Sequence, residues 1–309
     1  MTSTGTPSKE SAVNNFTIHH EAFQKIIERF GVLLRRQEEL QEKLEAVDMS
    51  MENIDEQRFL GGEPVVSFVP SQDFEPLFQV AAKDIWPVLS IIFPPLAESL
   101  KALGQKLETD TSWAHLCLQA VAHGNAQALD QAATQAIVAP DFLLLALRAA
   151  YGPCIAVQKD NLIKNVPIEV WRQAYCPVCG SDPDLATLEN HPDPSEFLVS
   201  KSGELWHHCP TCTHRWRFVR MQCPNCGNKD HKSLTRFNMP DSLQTIIYAC
   251  EQCQHYLPCL NLVENSQKIN FNQAALNLVH LDAAAQSKGY TPLSPAPWAV
   301  FGFDQEKPS

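Results

Sequence analysis

Three stretches decide the fold: YCPVCG (residues 175–180), LWHHCPTCTHRWRFVRMQCPNCG (205–227) and YACEQCQHYL (248–257). They carry four Cys-x-x-Cys pairs, Cys176/Cys179, Cys209/Cys212, Cys223/Cys226 and Cys250/Cys253, which use eight of the chain's eleven cysteines. Two residues between cysteines let both sulfurs reach one ion from a tight turn. Proline fixes φ early in three of these turns, and glycine after Cys179 and Cys226 accepts the positive φ that closes them. Four pairs make two tetrathiolate sites. Disulfides are the competing use of paired cysteines, but the N-terminal MTSTGTPSKESAVNNF is polar and lacks the apolar core and cleavage site of a secretory leader. A reducing, cytoplasmic setting and metal ligation are the expectation.

The spacing also predicts which pairs share an ion. Ten residues, THRWRFVRMQ, separate Cys212 from Cys223 without Gly or Pro; extended, they span about 30 Å, too far for those two pairs to meet at one ion. Lys201-Ser202-Gly203 and Asn238-Met239-Pro240-Asp241 supply turns inside the other two intervals, so each reads as a hairpin folding back on its own knuckle. Site one is therefore assigned to Cys176, Cys179, Cys209 and Cys212, and site two to Cys223, Cys226, Cys250 and Cys253, with interleaving as the lesser alternative. Four thiolates leave no open coordination position, which excludes a hydrolytic metal centre. Zinc and iron both suit the donors, giving two ions per chain.

Upstream of the cysteines the pattern is helical. Ile26, Ile27, Phe30, Leu33, Leu34, Leu40, Leu44 and Val47 follow a helical period, and Gly61-Gly62-Glu63-Pro64 breaks it. Further helices are predicted over 73–92, 96–107, 110–123, 125–137 and 140–150, and a last helix over 265–288. The expected fold class is α+β: a disordered tail (1–15), an all-α domain (16–165), two tandem rubredoxin-like or zinc-ribbon modules (166–264), and a C-terminal helix and tail (265–309). No run of 18 apolar residues occurs, and Ile85–Leu103 is interrupted by prolines and charges, so no membrane insertion is expected.

Cys117, Cys154 and Cys259 sit in apolar surroundings and read as buried structural thiols. His207, His208, His214, His231 and His255 cluster near the knuckles and read as residues hydrogen-bonding sulfur or carbonyl groups around a centre. By strand alternation Trp216, Phe218 and Arg220 share one face and Arg215, Arg217 and Val219 the other. The aromatic face is expected to pack the ribbons together, and the arginines to screen the anionic centres or meet a partner. No phosphate loop, nucleophile elbow, His-Glu-x-x-His or deaminase pattern is present, so no enzyme activity is expected.

The spacing C-x2-C-x3-W-x3-R-x2-C-x2-C, on Cys209, Cys212, Trp216, Arg220, Cys223 and Cys226, resembles the formate dehydrogenase accessory protein (FdhE) family. So do Phe142–Tyr151, Leu281-Asp282 and Gly289-Tyr290. Ala274 and Ala275 stand where that family usually has adjacent aspartates, and the N-terminal segment lacks its proline-arginine pattern. The resemblance implies a cytoplasmic assembly factor that contacts the catalytic subunit of a respiratory formate dehydrogenase and carries redox-active iron in its cysteine pairs. Two other functions fit the residues: a rubredoxin-like electron carrier, and a nucleic-acid-binding ribbon using Arg215, Trp216, Arg217 and Arg220. Charge opposes the latter, with 24 Lys+Arg against 35 Asp+Glu overall and 8 against 10 within 171–265, so no nucleic-acid partner is expected.

Overall fold

The computed structural model describes residues 21–50, 54–190, 203–238, 244–263 and 269–300. The expected tail at 1–15, the first residues of the predicted last helix (265–268), the final residues from 301 and the turn positions Lys201, Ser202 and Met239–Asp241 lie outside the described residues.

Helices α1 (Glu21–Lys43), α2 (Glu56–Leu60), α3 (Glu75–Ile92), α4 (Ala97–Thr109), α5 (Thr111–Ala122), α6 (Ala126–Ala136) and α7 (Pro140–Ile163) build the first part. Their starts follow local chemistry: Asp110 accepts from the Trp113 N–H and Asn125 from the Ala128 N–H, each satisfying a free amide of the first turn. α7 is the axis of the bundle, packing on α1, α3, α5 and α6. By length and composition it could cross a membrane, yet here Leu143, Ala146, Leu147, Ala150, Tyr151 and Ile155 are buried in the core.

α7 runs well past the predicted end at 150, through Gly152 and Pro153. Proline has no N–H to offer the carbonyl four residues back. Gln37 of α1 compensates, its Nε2 donating to that Ala149 carbonyl at 2.8 Å. A side chain over a hundred positions away thus allows the helix to continue.

The second part is a seven-stranded sheet in the order β3-β2-β1-β6-β5-β4, with β7 (Thr291–Pro292) beside β6. β1 (Leu185–Glu189), β2 (Glu204–His208) and β3 (Arg215–Phe218) form one antiparallel ribbon, and β4 (Leu234–Asn238), β5 (Thr245–Cys250) and β6 (His255–Asn261) the other. The ribbons are joined by parallel pairing of β1 with β6, Ala186 opposite Cys259 and Leu188 opposite Asn261. The expected tandem modules are therefore halves of one sheet. The predicted strand across 213–222 is regular only over Arg215–Phe218; Met221 takes a positive φ of 49°, turning the chain into the next cysteine pair.

The predicted last helix divides at Leu278 into α8 (Phe271–Asn277) and α9 (Val279–Ser287), followed by α10 (Pro297–Val300). Leu278 is buried, and its N–H is shared between the Ala274 and Ala275 carbonyls at 3.2 Å each. α8 packs on α1, where Asn270 Nδ2 donates to Glu38 Oε1 at 2.8 Å, while Leu278 and Leu281 pack with Leu185, Ile247 and Tyr256 of the sheet. One pair of short helices thus bridges bundle and sheet.

Candidate metal centres

All four Cys-x-x-Cys turns close the same way. The residue after the second cysteine has positive φ, 76° at Gly180, 59° at Thr213, 72° at Gly227 and 57° at Gln254. Its N–H returns to the carbonyl of the first cysteine, at 2.9, 3.1, 3.0 and 2.8 Å in turn. This conformation aims both sulfurs of a pair to one side. Glycine adopts it freely; Thr213 and Gln254 hold it against a steric cost of about 1–2 kcal/mol each. Sequence reasoning missed these two, although lining up the residue after each pair (Gly, Thr, Gly, Gln) carries the signal.

The turns gather the sulfurs into two groups, Cys176/Cys179/Cys209/Cys212 and Cys223/Cys226/Cys250/Cys253, with the ligand atoms of each within 4.8 Å of one another. Cys176–Cys212 and Cys179–Cys209 sulfurs are 3.4 Å apart in the first; Cys223–Cys253 and Cys226–Cys250 are 3.6 and 3.7 Å apart in the second. A tetrahedron of thiolates at about 2.3 Å from zinc has sulfurs about 3.8 Å apart, so both groups have the donor set and spacing for one tetrahedral ion each. These are the sequential pairings predicted from the hairpins.

The groups differ in their surroundings. Cys176, Cys209 and Cys212 are fully buried and belong to the same apolar core as the helical bundle. The amides of Val65 and Val66 donate to the carbonyls of Pro177 and Val178 at 2.8 and 2.9 Å, and the Ser181 and Thr211 hydroxyls meet at 2.8 Å. Gly152 of α7 faces the second turn so closely that a Cβ there would lie 3.2 Å from the Thr211 carbonyl oxygen. The second group is peripheral: Cys226 is exposed and Cys253 half-buried.

Burial pushes the Cys176 and Cys212 thiols up, whereas hydrogen bonds from Cys176, Cys209 and Cys212 hold Cys179 well below the usual thiol range. In the second group burial opposes ionisation of Cys250, but the Cys253 amide, the Asn228 side chain and the Gln252 amide outweigh it and bring the thiol to about 7. The Asn228 Nδ2 to Cys250 Sγ contact is 3.6 Å. Cys117, Cys154 and Cys259 are fully buried away from both groups, and burial drives their thiols up.

Three of the five histidines bond a carbonyl or a carboxylate, while the buried His214 Nε2 has no partner among the described residues. His207 Nδ1 reaches the Ala174 carbonyl at 3.3 Å, His208 Nδ1 the Asp184 carboxylate at 2.8 Å and His255 Nδ1 the Cys253 carbonyl at 2.8 Å. Burial lowers His207 and His214 to about 4, so both are neutral near pH 7. Trp216 and Phe218 are buried, as strand alternation predicts, but Arg215 and Arg217 do not turn to the sulfurs. Arg215 pairs with Glu189 and lies 4.1 Å over the Phe271 ring, and Arg217 pairs with Glu204 at 2.8 Å. One further group beside the first centre was not legible in the sequence: the buried Tyr151 hydroxyl, which has no hydrogen-bond partner among the described residues.

The sequence and the fold both have counterparts among known proteins. The chain is 23% identical to an FdhE homologue of Aquifex aeolicus strain VF5 over 286 residues, 91% of this chain and 92% of that one. The chain is thus similar to FdhE proteins along nearly its whole length. Two other FdhE relatives match over shorter regions. The Shewanella oneidensis homologue is 27% identical over 122 residues (40% of this chain, 37% of the relative), and Escherichia coli K12 FdhE is 29% identical over 132 residues (42% and 39%). The crystal structure of FdhE from Pseudomonas aeruginosa shares the fold, with a TM-score of 0.54 at 19% identity, covering 94% of this chain and 98% of that one. No protein-family model matches the chain.

Proposed function

We propose that the protein is a cytoplasmic accessory factor in the maturation of a formate dehydrogenase, binding its catalytic subunit without itself catalysing a reaction. The kinship with FdhE proteins along nearly the whole chain carries this reading. In this reading Cys176, Cys179, Cys209 and Cys212 hold one ion and Cys223, Cys226, Cys250 and Cys253 a second. Iron is favoured over zinc by the family resemblance, and it would supply a one-electron couple where zinc would be redox-silent.

The chain's own residues divide the work. The first group, locked into the helical core, holds helices α1–α7 and the ribbons in one body. The second, with Cys226 at the surface, is the one a docked partner can sense. The two Arg–carboxylate pairs at Arg215 and Arg217 disfavour nucleic-acid binding, since phosphate would have to displace them. The exposed Cys226 favours a rubredoxin-like electron carrier as the second reading. Visible absorption of anaerobically purified, then oxidised protein tests the metal: iron–thiolate colour is expected, and colourless protein with two zinc ions per chain refutes the iron assignment. Co-purification with the catalytic subunit tests the partner. Binding that survives replacement of all eight cysteines would separate docking from metal chemistry and refute the coupled role.

A further inference from the structure

A cleft of about 290 Å³ lies beside the second cysteine group, walled by β2, β4, β5, β6 and the 220–225 segment that enters the third cysteine pair. Its size and largely apolar wall are those of a small-molecule site. Arg236, Tyr248 and Leu257 stand opposite one another across the β4–β5–β6 ladder, and all three line it together with Arg220, His207 and Leu205.

The charge of this wall is one-sided. No Asp or Glu lines the cleft among the described residues, although the chain carries 35 acidic residues to 24 basic. Arg220 is tethered through Nη1 to the Gly203 carbonyl at 3.2 Å. Arg236 is exposed and takes part in no ion pair among the described residues. Both guanidiniums belong to the wall of this one cleft, Arg220 from the crossing segment and Arg236 from the edge strand, where it stands opposite Tyr248. A second polar feature lies in the same wall. His207 is buried and uses Nδ1 on the Ala174 carbonyl, leaving Nε2 as an acceptor with no partner among the described residues. A buried acceptor without a donor costs free energy that an incoming N–H or O–H recovers.

We propose that this cleft binds a small anionic ligand with a flat apolar body. A carboxylate or phosphate group sits between Arg220 and Arg236, with the Tyr248 hydroxyl as a further donor. The body lies along Leu205 and Leu257, and a ligand N–H or O–H meets His207. Paired guanidiniums suit such oxyanions through parallel N–H donors. Because Cys223 and Cys250 also line the cleft, the bound ligand lies against the second cysteine group. The site is independent of the proposed accessory role.

The test is calorimetric titration of the full-length, metal-loaded protein with 1-naphthyl phosphate, alongside neutral 1-naphthol and inorganic phosphate. Saturable one-to-one binding of naphthyl phosphate is expected. Arg236→Gln and the loss of the phosphate should each weaken it about tenfold or more, while Lys25→Gln on α1 leaves it unchanged. Circular dichroism and metal content check that Arg236→Gln is folded, and Arg236→Lys should recover part of the affinity. Absence of saturable binding at millimolar probe overturns the proposal, as does equal binding by wild type and folded Arg236→Gln. An extended acidic–apolar peptide that displaces the probe and binds at least tenfold more tightly would overturn the small-ligand assignment in favour of a polypeptide.

Discussion

Loss of the first cysteine group should unfold the whole molecule, whereas loss of the second should only loosen one end of the sheet. The paired variants are Cys176→Ser/Cys209→Ser and Cys226→Ser/Cys253→Ser. The first group sits among Val178, Trp171 and Trp216, all 3% exposed or less. Freeing the knuckles returns these side chains to water, at about 1.5–3 kcal/mol each, or about 5–9 kcal/mol together. The two amide bonds from Val65 and Val66 to the first turn add about 2 kcal/mol. The total rivals the about 5–15 kcal/mol that stabilises a typical domain, before the coordination energy is included. Around the second group the Cys226 turn is exposed and few large apolar side chains depend on it. Far-UV circular dichroism melts, dominated by the helices, should show Cys176→Ser/Cys209→Ser unfolded at room temperature or melting far below wild type. Cys226→Ser/Cys253→Ser should keep the helical transition within a few degrees while losing one ion per chain. A first-group variant melting like wild type, or a second-group variant losing its helices, would refute the division between a core centre and a peripheral one.

Gly152→Val places a β-branched side chain against the Thr211 carbonyl and should speed release of one of the two ions to a chelator while leaving the other's rate unchanged; unchanged rates for both would show that helix and turn are not in contact. Gln254→Gly removes a left-handed conformer from a side chain and should raise stability by up to about 1 kcal/mol, read as a higher melting temperature; a fall would point to a role for the Gln254 Nε2 bond to Glu251. Burial raises Asp282 to about 6, despite bonds from the Tyr256 hydroxyl and Trp298 Nε1. Its protonated form is thus favoured by folding, and stability from this group is greatest below the unfolded pKa near 4 and falls as pH rises towards 6. Asp282→Asn should therefore gain on wild type as pH rises from about 4 to about 7, by up to about 3 kcal/mol, in denaturant titrations. Taking the difference between the two proteins cancels proton competition at the cysteines, and a difference that does not change with pH would contradict the buried carboxylate.

The cysteine groups were legible because each is written locally. Spacing within a pair, the proline or glycine beside it and the turn-bearing intervals all act over short stretches, and the sequential grouping of sulfurs follows from them. The helix start at Asp110 was legible for the same reason. What escaped depends on partners far along the chain. α7 passes Pro153 only because Gln37 serves Ala149, and β1 meets β6 only after the whole second ribbon is in place. The division at Leu278 accompanies burial of that residue against the sheet, and Arg215 and Arg217 settle on carboxylates that β1 and β2 bring to them. Thr213 and Gln254 were hidden for a different reason: their propensities argue against the conformation that the repeated turn imposes.

The parallel pairing of β1 with β6 has a temporal consequence. During synthesis the inner border of β1 has its neighbour only once Asn261 has left the ribosome, some seventy residues later. Until then that border can recruit any extended chain nearby. The sheet is therefore sealed late, by its own far end, and a nascent molecule halted between the two ribbons would be the form most prone to cling to its neighbours.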